Sequence, residues 1–299
     1  MLLKTYGEMV QIIKPELCKD RKTFAKLDLA EYIAEKKFDG ERIIAIKEGD
    51  DIILQRRSGK DATHVYPEVV EALRAFKNDI ILDGEMVVFI DGVDDFQEGL
   101  QPRIHLKNEN KIYTKSLETP ATYMLFDILH AGNADLRQRS LDTRKAYLNN
   151  YYKQFIQGTT AKYNIKVVEY SEFVEDVFDI AKKNGWEGVV LKPKLAMYME
   201  SSRKQWIKRK ITFDADFIFT AYEENNKGIK LLKYEHDERD QVVLNISEEN
   251  PLVIQCGGEQ SSEVKYLLDK NDEAYVTVSY MNKTSANRLR MPVFKKVVD

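Results

Sequence analysis

A charged segment runs directly into an apolar one near the start of this chain: Glu35-Lys36-Lys37-Phe38-Asp39-Gly40-Glu41-Arg42-Ile43-Ile44-Ala45-Ile46. The apolar run predicts a buried strand, and the Asp39-Gly40 step before it predicts a tight turn with a positive-φ position. Lys37 then lies at a strand edge, where Asp39 can orient its amine by hydrogen bonding. A lysine amine must lose its proton to attack phosphorus or a carbonyl carbon, and burial or nearby cations such as Lys36 and Arg42 favour that loss. The simpler alternative is an ordinary turn, because a pattern of four fixed residues recurs by chance in roughly one chain of this size in several hundred.

The composition is that of a globular protein. Of the 299 residues, 43% are apolar and 32% are charged, and the length favours two domains. No run of 18 apolar residues is present to span a bilayer, and residues 1–14 lack the apolar core of a secretory signal. Cys18 and Cys256 are far apart and the four histidines do not cluster, which argues against structural zinc and disulfides. We therefore expect a reduced, intracellular compartment and no membrane association.

Charge is distributed unevenly along the chain, although the net charge is only −3. Residues 1–211 carry 35 Lys and Arg against 33 Asp and Glu, a net charge of +2. Residues 212–299 carry 11 against 16, a net charge of −5. This balance argues against a protein that coats polyanions, so any nucleic-acid contact must use local basic patches.

The first 211 residues mix predicted strands with predicted helices. The segment Glu48-Gly49-Asp50-Asp51 predicts a hairpin turn, and Pro67 predicts the start of a helix. Ser171 is the predicted N-cap of another helix, which Asn184-Gly185 ends. Residues 91–115 are polar and yield no assignment. The predicted strands are 42–46, 52–55, 80–90, 122–129, 166–169 and 188–192, and the predicted helices are 67–76, 141–155 and 171–183.

After residue 211 the pattern changes to short β runs. The predicted strands are 217–222, 229–234, 242–246, 275–280 and 293–298, with one helix at 262–268. Five strands and one helix in about 90 residues suit a small closed barrel such as the OB-fold. We therefore predict an α+β chain with a boundary near Ile211, which gives domains 1–211 and 212–299.

Several predicted strands carry a charged residue inside an apolar run. Glu85 precedes Met86-Val87-Val88, Asp127 follows Phe126, and Glu187 precedes a run of glycine and aliphatic residues. A buried charge must be paired or must bind a charged ligand, and one or two carboxylates suffice to hold Mg²⁺. Together with the alternating basic segment 206–210, Glu85 and Glu187 indicate a site for a metal-bound polyphosphate. For each glutamate alone the alternative is a surface charge on an edge strand, and for Phe126 it is a core position.

Six segments occur in the order and form of the motifs of ATP-dependent DNA ligases, which this chain resembles from about residue 32 to its C-terminus. The segments are Lys37-Phe38-Asp39-Gly40-Glu41-Arg42, Arg57-Ser58-Gly59-Lys60-Asp61, Leu82-Asp83-Gly84-Glu85, Leu125-Phe126-Asp127, Glu187-Gly188-Val189-Val190-Leu191-Lys192 and Trp206-Ile207-Lys208-Arg209-Lys210. The resemblance implies a nucleotidyltransferase domain, ATP-grasp-like with mainly antiparallel sheets and helices, followed by an all-β OB-fold barrel. It is similar to the minimal, single-chain ligases.

The resemblance also implies a reaction. The Lys37 amine attacks the α-phosphate of ATP and forms lysyl-AMP with loss of pyrophosphate, with Mg²⁺ or alternatively Mn²⁺ as the metal. AMP then passes to the 5′-phosphate at a nick in duplex DNA, and the 3′-hydroxyl displaces it to seal the strand. The implied partner is nicked duplex DNA, and we expect a monomer in the cytoplasm, nucleoid or nucleus.

Each motif residue has an implied role. Catalysis is assigned to the nucleophile, its turn partner and two basic residues, and nucleotide or metal binding to the others. The assignments are catalysis by Lys37, Asp39, Lys208 and Lys210, adenine recognition by Glu35, stacking on adenine by Phe126, contact with the sugar or the nick phosphate by Arg42, contact with a phosphate by Arg57, ribose or metal binding by Glu85, metal binding by Glu187, nucleotide binding by Arg203, and α-phosphate contacts by Lys208 and Lys210.

Two segments depart from the family's pattern. Where the family has Ser-Arg-Asn-Gly, this chain has Arg56-Arg57-Ser58-Gly59, which keeps the arginine and the glycine. The family's closing Arg-x-Asp-Lys motif, which orients pyrophosphate in the first step, is unmatched, since Val298 stands at its arginine and the sequence ends at Asp299. Lys295 and Lys296 are the candidate substitutes; without a substitute, self-adenylylation is expected to be slow. The alternative functions are an RNA ligase, an mRNA-capping guanylyltransferase or a catalytically weak nick-binding module.

Overall fold

The computed structural model describes residues 2–5, 8–284 and 286–298, so Asp299 of the closing segment lies outside the described residues. The chain divides into two compact units, Met1–Arg209 and Lys210–Asp299. Each unit has its own apolar core. In the described ranges, no helix has both the length and the apolar character needed to cross a bilayer.

The described residues of the first unit form mainly strands, with five α-helices between them. Its elements are β1 Leu2–Thr5, β2 Glu8–Gln11, β3 Cys18–Asp20, β4 Tyr32–Lys37, β5 Glu41–Glu48, β6 Asp51–Arg56, α1 Pro67–Leu73, β7 Ile80–Ile90, β8 Val93–Asp94, α2 Gln101–Ile104, α3 Glu109–Glu118, β9 Ala121–Ala131, β10 Ala134–Asp135, α4 Leu141–Phe155, β11 Ile165–Val167, β12 Tyr170–Ser171, α5 Val174–Lys183, β13 Gly188–Pro193 and β14 Trp206–Lys210, which ends at the unit boundary.

Two main sheets organise the first unit. The larger has the strand order β10-β9-β7-β5-β6, with β11 beside β9 and β8 beside β7, and the smaller has the order β12-β4-β13-β14-β3. Ile44 and Val87 of the larger sheet belong to the same core cluster as Trp206 of the smaller one. The chain crosses from the smaller sheet to the larger in the turn 38–40, between β4 and β5. Lys37 is therefore the last residue before the chain changes sheet.

Elements with strong local signals form where the sequence predicts them. The strand predicted at 80–90 is β7, and the helix predicted at 141–155 is α4, whose N-terminus is capped by the Ser140 hydroxyl accepting from the Thr143 N–H at 3.3 Å. The hairpin turn between β5 and β6 has Gly49 at φ +55°. Asn184 and Gly185, the latter at φ +63°, end α5 as predicted.

The second unit is built from short strands and one helix around a single core. Its elements are β15 Phe213–Phe219, β16 Ala221–Asn225, β17 Gly228–Lys233, β18 Leu252–Cys256, α6 Glu259–Asn271, β19 Ala274–Tyr280, β20 Asn282–Lys283, β21 Leu289–Arg290 and β22 Val293–Val297. The described residues of this unit form two three-stranded sheets, β15-β19-β22 and β16-β17-β18, and a separate two-stranded sheet, β20-β21. The α+β class predicted from the sequence is confirmed.

Two local predictions are wrong, and one segment that gave no assignment has regular structure. Ser171 is not the N-cap of α5, because the helix begins at Val174 and the Ser171 hydroxyl accepts from the Phe173 N–H instead. Residues 242–246 form no strand, although Leu244 is buried, and β18 supplies the ladder in their place. Residues 91–115, which gave no assignment, contain β8, α2 and most of α3.

Gly40 is required for a reason other than the predicted one. It is not among the positive-φ residues of the described chain. An added Cβ would instead lie 2.2 Å from the Met86 carbonyl oxygen and 2.8 Å from Glu85 Cγ. The turn after Lys37 therefore needs a glycine because it packs directly on β7.

Candidate active site

A single pocket in the first unit collects most of the residues singled out in the sequence. Residues of both sheets and of the segment before β3 line it. The lining residues are Leu17, Cys18, Glu35, Lys36, Lys37, Phe38, Arg42, Arg57, Glu85, Phe126, Val190, Lys192, Arg203, Trp206 and Lys208. Among the sequence candidates, Glu187 lies beside this set, Asp39 lies in the turn after Lys37, and Lys210 is the last residue of β14.

Lys37 and Glu187 are brought together by neighbouring strands. Lys37 ends β4 and stands opposite Gly188 of β13 in the antiparallel ladder, so Glu187 lies just beyond the start of β13. The Lys37 Nζ forms an ion pair with Glu187 Oε2. Glu187 is 8% exposed and the Lys37 side chain 22% exposed. The amine therefore sits at the wall of the pocket against a nearly buried carboxylate.

Arg42 is held by a buried carboxylate that sequence reasoning did not single out. Its Nε and Nη2 donate to the two oxygens of Asp83 at 2.5 and 2.6 Å, and Asp83 also accepts from the Tyr198 hydroxyl at 2.6 Å. Burial alone would lower the pKa of Arg42, but the charge and hydrogen bonds of Asp83 outweigh it and raise that pKa. The available signal was spacing, since Asp83 lies two residues before Glu85 and therefore on the same face of β7.

Glu35 lies at the bottom of the pocket between two buried lysines. It is 2% exposed and forms ion pairs with Lys145 of α4 and, at 2.7 Å, with Lys192 of β13. The Nζ of Lys192 is 4.1 Å from the ring centroids of both Phe126 and Trp206. Burial lowers the pKa of Lys192. Lys192 could have been found from the sequence, because it lies two residues after Val190 and therefore on the same face of β13. Lys145 has no such local signal, because it lies on a separate helix, α4.

These lysines leave hydrogen-bonding capacity unused within the described chain. The Nζ atoms of Lys145 and Lys192 are within ion-pair distance of Glu35 but make no hydrogen bond of good geometry there. Buried donors normally have a partner. Because Lys192 lines the pocket beside two aromatic rings, this donor and its surroundings fit a ligand that carries both a flat ring and acceptor atoms.

The acidity of Glu85, which also lines the pocket, is shifted. Burial is the main cause that raises the pKa of Glu85 to about 7. The positive charges of Arg42 and Lys37 oppose this rise, and the negative charges of Glu187 and Asp83 add to it. Glu85 is opposite Arg42 in the β5–β7 ladder. Within the described residues no group of three or more His, Cys, Asp and Glu side chains forms a metal site. Glu85 and Glu187 therefore fit a divalent cation only when ligand oxygens complete its coordination, as is usual for Mg²⁺ on phosphates.

A second, more open basin adjoins the pocket and shares Arg42, Arg57 and Glu85 with it. Among its lining residues, five are Lys or Arg and three are Asp or Glu, and Arg57 lies at the junction. Besides the shared residues, the charged and polar lining residues are Glu41, Arg56, Ser58, Lys60, Asp61, His64, His105 and Lys107. Arg56 forms an ion pair with Glu41, so the positive charge of Arg56 is partly neutralised. Glu41 also accepts a hydrogen bond from the Tyr66 hydroxyl at 2.8 Å.

The basic strand β14 supplies the remaining candidates. Lys208 lines the pocket and its Nζ lies 3.3 Å from Asp20 of β3, with which β14 pairs in parallel. Arg203 lines the same pocket from the segment before β14. Lys210 follows Lys208 by two residues on the strand, so the two side chains share a face.

Comparison with known proteins gives a consistent match. The model of the ATP-dependent DNA ligase domain matches residues 15–210. DNA ligase C of Mycobacterium tuberculosis is 30% identical over 198 residues, which cover 65% of this chain and 54% of that protein. A DNA ligase of Pyrobaculum islandicum is 32% identical over 193 residues, 63% of this chain and 32% of that protein. The chain thus spans between a third and about half of these curated relatives.

Solved structures match both units. The ligase domain of M. tuberculosis LigD aligns over 96% of this chain and 95% of its own, with 19% identity and a TM-score of 0.58. A structure described as a Lig E DNA ligase aligns over 95% of this chain and 98% of its own, with 18% identity and a TM-score of 0.62. The fold is therefore the predicted one, a nucleotidyltransferase part followed by an OB-fold part. With more than half of its length matched by the family model, the chain belongs to the ATP-dependent DNA ligase family.

Proposed function

We propose that this chain is a DNA ligase that uses ATP to seal 5′-phosphate/3′-hydroxyl nicks in duplex DNA. The observation that carries the proposal is the contact between Lys37 and Glu187 at the wall of a pocket with aromatic and cationic sides. A lysine nucleophile, a ring-binding surface and several phosphate-binding cations are what nucleotidyl transfer through a covalent intermediate needs.

In the first step the Lys37 amine attacks the α-phosphorus of ATP, a phosphoramidate N–P bond forms, and the bond to pyrophosphate breaks. The amine must lose a proton, and the Glu187 carboxylate in contact with it can accept that proton. The base is bound between Glu35, Lys192, Phe126 and Trp206. Lys208 and Arg203 neutralise charge on the phosphates, with Lys210 of the same strand as a further α-phosphate contact.

Metal ions would act through the phosphates. Glu85 and Glu187 are the proposed protein ligands of Mg²⁺, or of Mn²⁺ in its place, with Glu85 alternatively holding a ribose hydroxyl. The bound metal would neutralise phosphate charge as the transfer proceeds. Asp39, in the turn after Lys37, is proposed to keep the amine aligned for an in-line attack.

The second and third steps need a place for DNA beside the nucleotide. The basic basin that shares Arg42 and Arg57 with the pocket is the proposed site of the 5′-phosphate at the nick. That phosphate attacks lysyl-AMP and releases Lys37, and the 3′-hydroxyl then displaces AMP. Because the net charge of the chain is −3, we expect DNA binding to depend on this local basin and to weaken with salt.

The test is self-adenylylation. With Mg²⁺ and α-labelled ATP, the wild-type protein should acquire label that survives denaturation, and Lys37→Ala should acquire none. Lys182→Met removes an exposed helical lysine outside the pocket and should label normally. Label on Lys37→Ala equal to that on the wild type would refute the proposal.

The same preparation separates the alternatives. Labelling by GTP instead of ATP would favour a capping guanylyltransferase, and sealing of nicked RNA rather than nicked DNA would favour an RNA ligase. Salt-sensitive binding of nicked duplex without sealing would favour a nick-binding module. A light-scattering mass equal to one chain is expected for the proposed monomer.

A further inference from the structure

A nearly buried carboxylate outside the pocket contacts the residue before the proposed nucleophile and the second residue after it. Asp94 lies on β8, opposite Phe89 of β7, and is 7% exposed. Its Oδ1 accepts from the Lys36 Nζ, and its Oδ2 accepts from the Asp39 N–H at 2.9 Å. One side chain thus holds the chain immediately before and shortly after Lys37.

The side chain of Lys36 also packs against the residues next to Lys37 and next to Glu187 in the chain. Its Nζ lies 4.7 Å from the ring centroid of Phe38 and 5.2 Å from that of Trp186. Phe38 follows Lys37 and Trp186 precedes Glu187 in the chain. The charge of Lys36 is therefore balanced by Asp94 while its ammonium group packs between the neighbours of Lys37 and Glu187.

The turn has little other freedom. Lys37 is the last residue of β4, and two residues after Phe38 the chain packs against β7 at Gly40, where no Cβ fits. Between these fixed points, the bond from Asp39 to Asp94 sets the direction in which the turn leaves the strand. The direction of the Lys37 side chain depends on that backbone geometry.

We propose that Asp94 is a positioning residue that holds the Lys37 amine in line with the α-phosphate. The inference rests on the proposed function, because it concerns the same nucleophile. Asp94 does not line the nucleotide pocket, so it acts on the rate of transfer rather than on nucleotide binding. Near-attack geometry is sensitive to displacements of about 1 Å, which can change a rate about a hundredfold.

The experiment compares single-turnover adenylylation of Asp94→Asn with the wild type over a range of ATP concentrations. We expect the rate constant to fall about ten- to a hundredfold while the half-saturating ATP concentration stays the same. Lys36→Met should also slow the step, because it removes one of the two contacts, and Lys36→Arg should restore it. Glu172→Gln, which breaks an exposed ion pair with Lys194 in the same unit, should keep the wild-type rate.

A chemical readout separates this inference from the proposed function. Trace acetic anhydride labelling, quantified by peptide mass spectrometry, gives the reactivity of Lys37 relative to that of Lys182 without any nucleotide. Asp94→Asn should change that ratio, and Lys36→Arg should not. If the wild type fails to take up AMP, the proposed function is refuted and the reactivity ratio still tests the positioning role. Two results for Asp94→Asn would overturn the inference. One is a reactivity ratio and an adenylylation rate constant that both equal those of the wild type. The other is a higher half-saturating ATP concentration with an unchanged rate constant.

Discussion

Any side chain at position 40 would overlap with strand β7. The nearest atom to an added Cβ is the Met86 carbonyl oxygen at 2.2 Å, which belongs to a backbone that cannot rotate away. Gly40→Ala should therefore lower the free energy of unfolding of the first unit by about 3 kcal/mol. Urea unfolding followed by tryptophan fluorescence measures it, because Trp186 and Trp206 both lie in that unit.

Gly158 is the matched control for this substitution. An added Cβ there meets nothing within 4 Å and the backbone φ is not positive. Gly158→Ala should leave stability unchanged or raise it by up to about 1 kcal/mol. Equal losses in the two variants would contradict the packing argument for Gly40.

Glu85 makes stability depend on pH in a defined direction. Its pKa in the folded protein, about 7, lies above the ordinary value of 4.5. The folded state therefore binds the proton more tightly than the unfolded state, so the stabilising contribution is complete below pH 4.5 and is lost as the pH rises through about 7. Measured without metal, the difference in unfolding free energy between wild type and Glu85→Gln should change across this window, with a slope of up to about 1.4 kcal/mol per pH unit.

A pH-independent difference would show that Glu85 titrates normally in the folded protein. Glu118→Gln, which removes an exposed pair with Lys115, is the comparison variant, because exposed pairs of this kind contribute little to stability. Tryptophan fluorescence reports on both variants because they lie in the first unit.

At the residue scale, the sequence indicates chemistry where a charge interrupts an apolar run. Lys37 precedes the predicted turn before one strand, Glu187 immediately precedes another predicted strand, and the structure pairs them. Asp94 and Lys145 carry no such signal. Asp94 lies in a segment that gave no assignment, and Lys145 reaches Glu35 from a helix more than 100 residues away in the chain. Contacts of this kind depend on tertiary packing rather than on local pattern.

At the scale of elements, a buried ion pair fastens helix α4 to strand β9. The Arg144 Nε and Nη2 donate to Asp127 at 2.7 and 2.9 Å, and both side chains are at most 1% exposed. Arg144→Met would leave the Asp127 carboxylate buried and unpaired. We expect the free energy of unfolding to fall by about 3–5 kcal/mol.

Lys182 offers the contrasting case on α5. Its side chain is 50% exposed and it pairs with Asp179 one turn earlier. Lys182→Met should therefore change stability by less than about 0.5 kcal/mol. A loss as large as that of Arg144→Met would mean that burial does not govern the strength of these pairs.

The sequence predicts the bounds of helix α4 correctly, and the structure shows that Ser140 caps its N-terminus. The failed strand at 242–246 shows the limit of alternation alone. Leu244 is buried and Val243 is 60% exposed, as the pattern predicts, but the segment has no partner strand in the described chain. Alternation identifies the buried face, whereas pairing depends on distant residues.

At the scale of the whole molecule, each of the two units has its own apolar core. The second unit buries Phe217, Ile254, Val276 and their neighbours in a core of its own. Residues 210–299 expressed alone should therefore unfold cooperatively on heating, as followed by circular dichroism, and should give dispersed amide resonances. A non-cooperative transition would mean that this core depends on the first unit.

One wall of the pocket is formed by two strands that are adjacent in space but come from the beginning and the end of the sequence of the first unit. Strand β3 pairs in parallel with β14, with Cys18 opposite Trp206, and both strands contribute lining residues. During synthesis on a ribosome, Lys37 therefore emerges long before the residues that complete its pocket. A nascent chain, or a product truncated before β14, carries the lysine but lacks the residues of β14 that complete the pocket. Under the proposed function, such incomplete chains should not react with ATP, so the order of translation would delay the reaction of the lysine until the unit is whole.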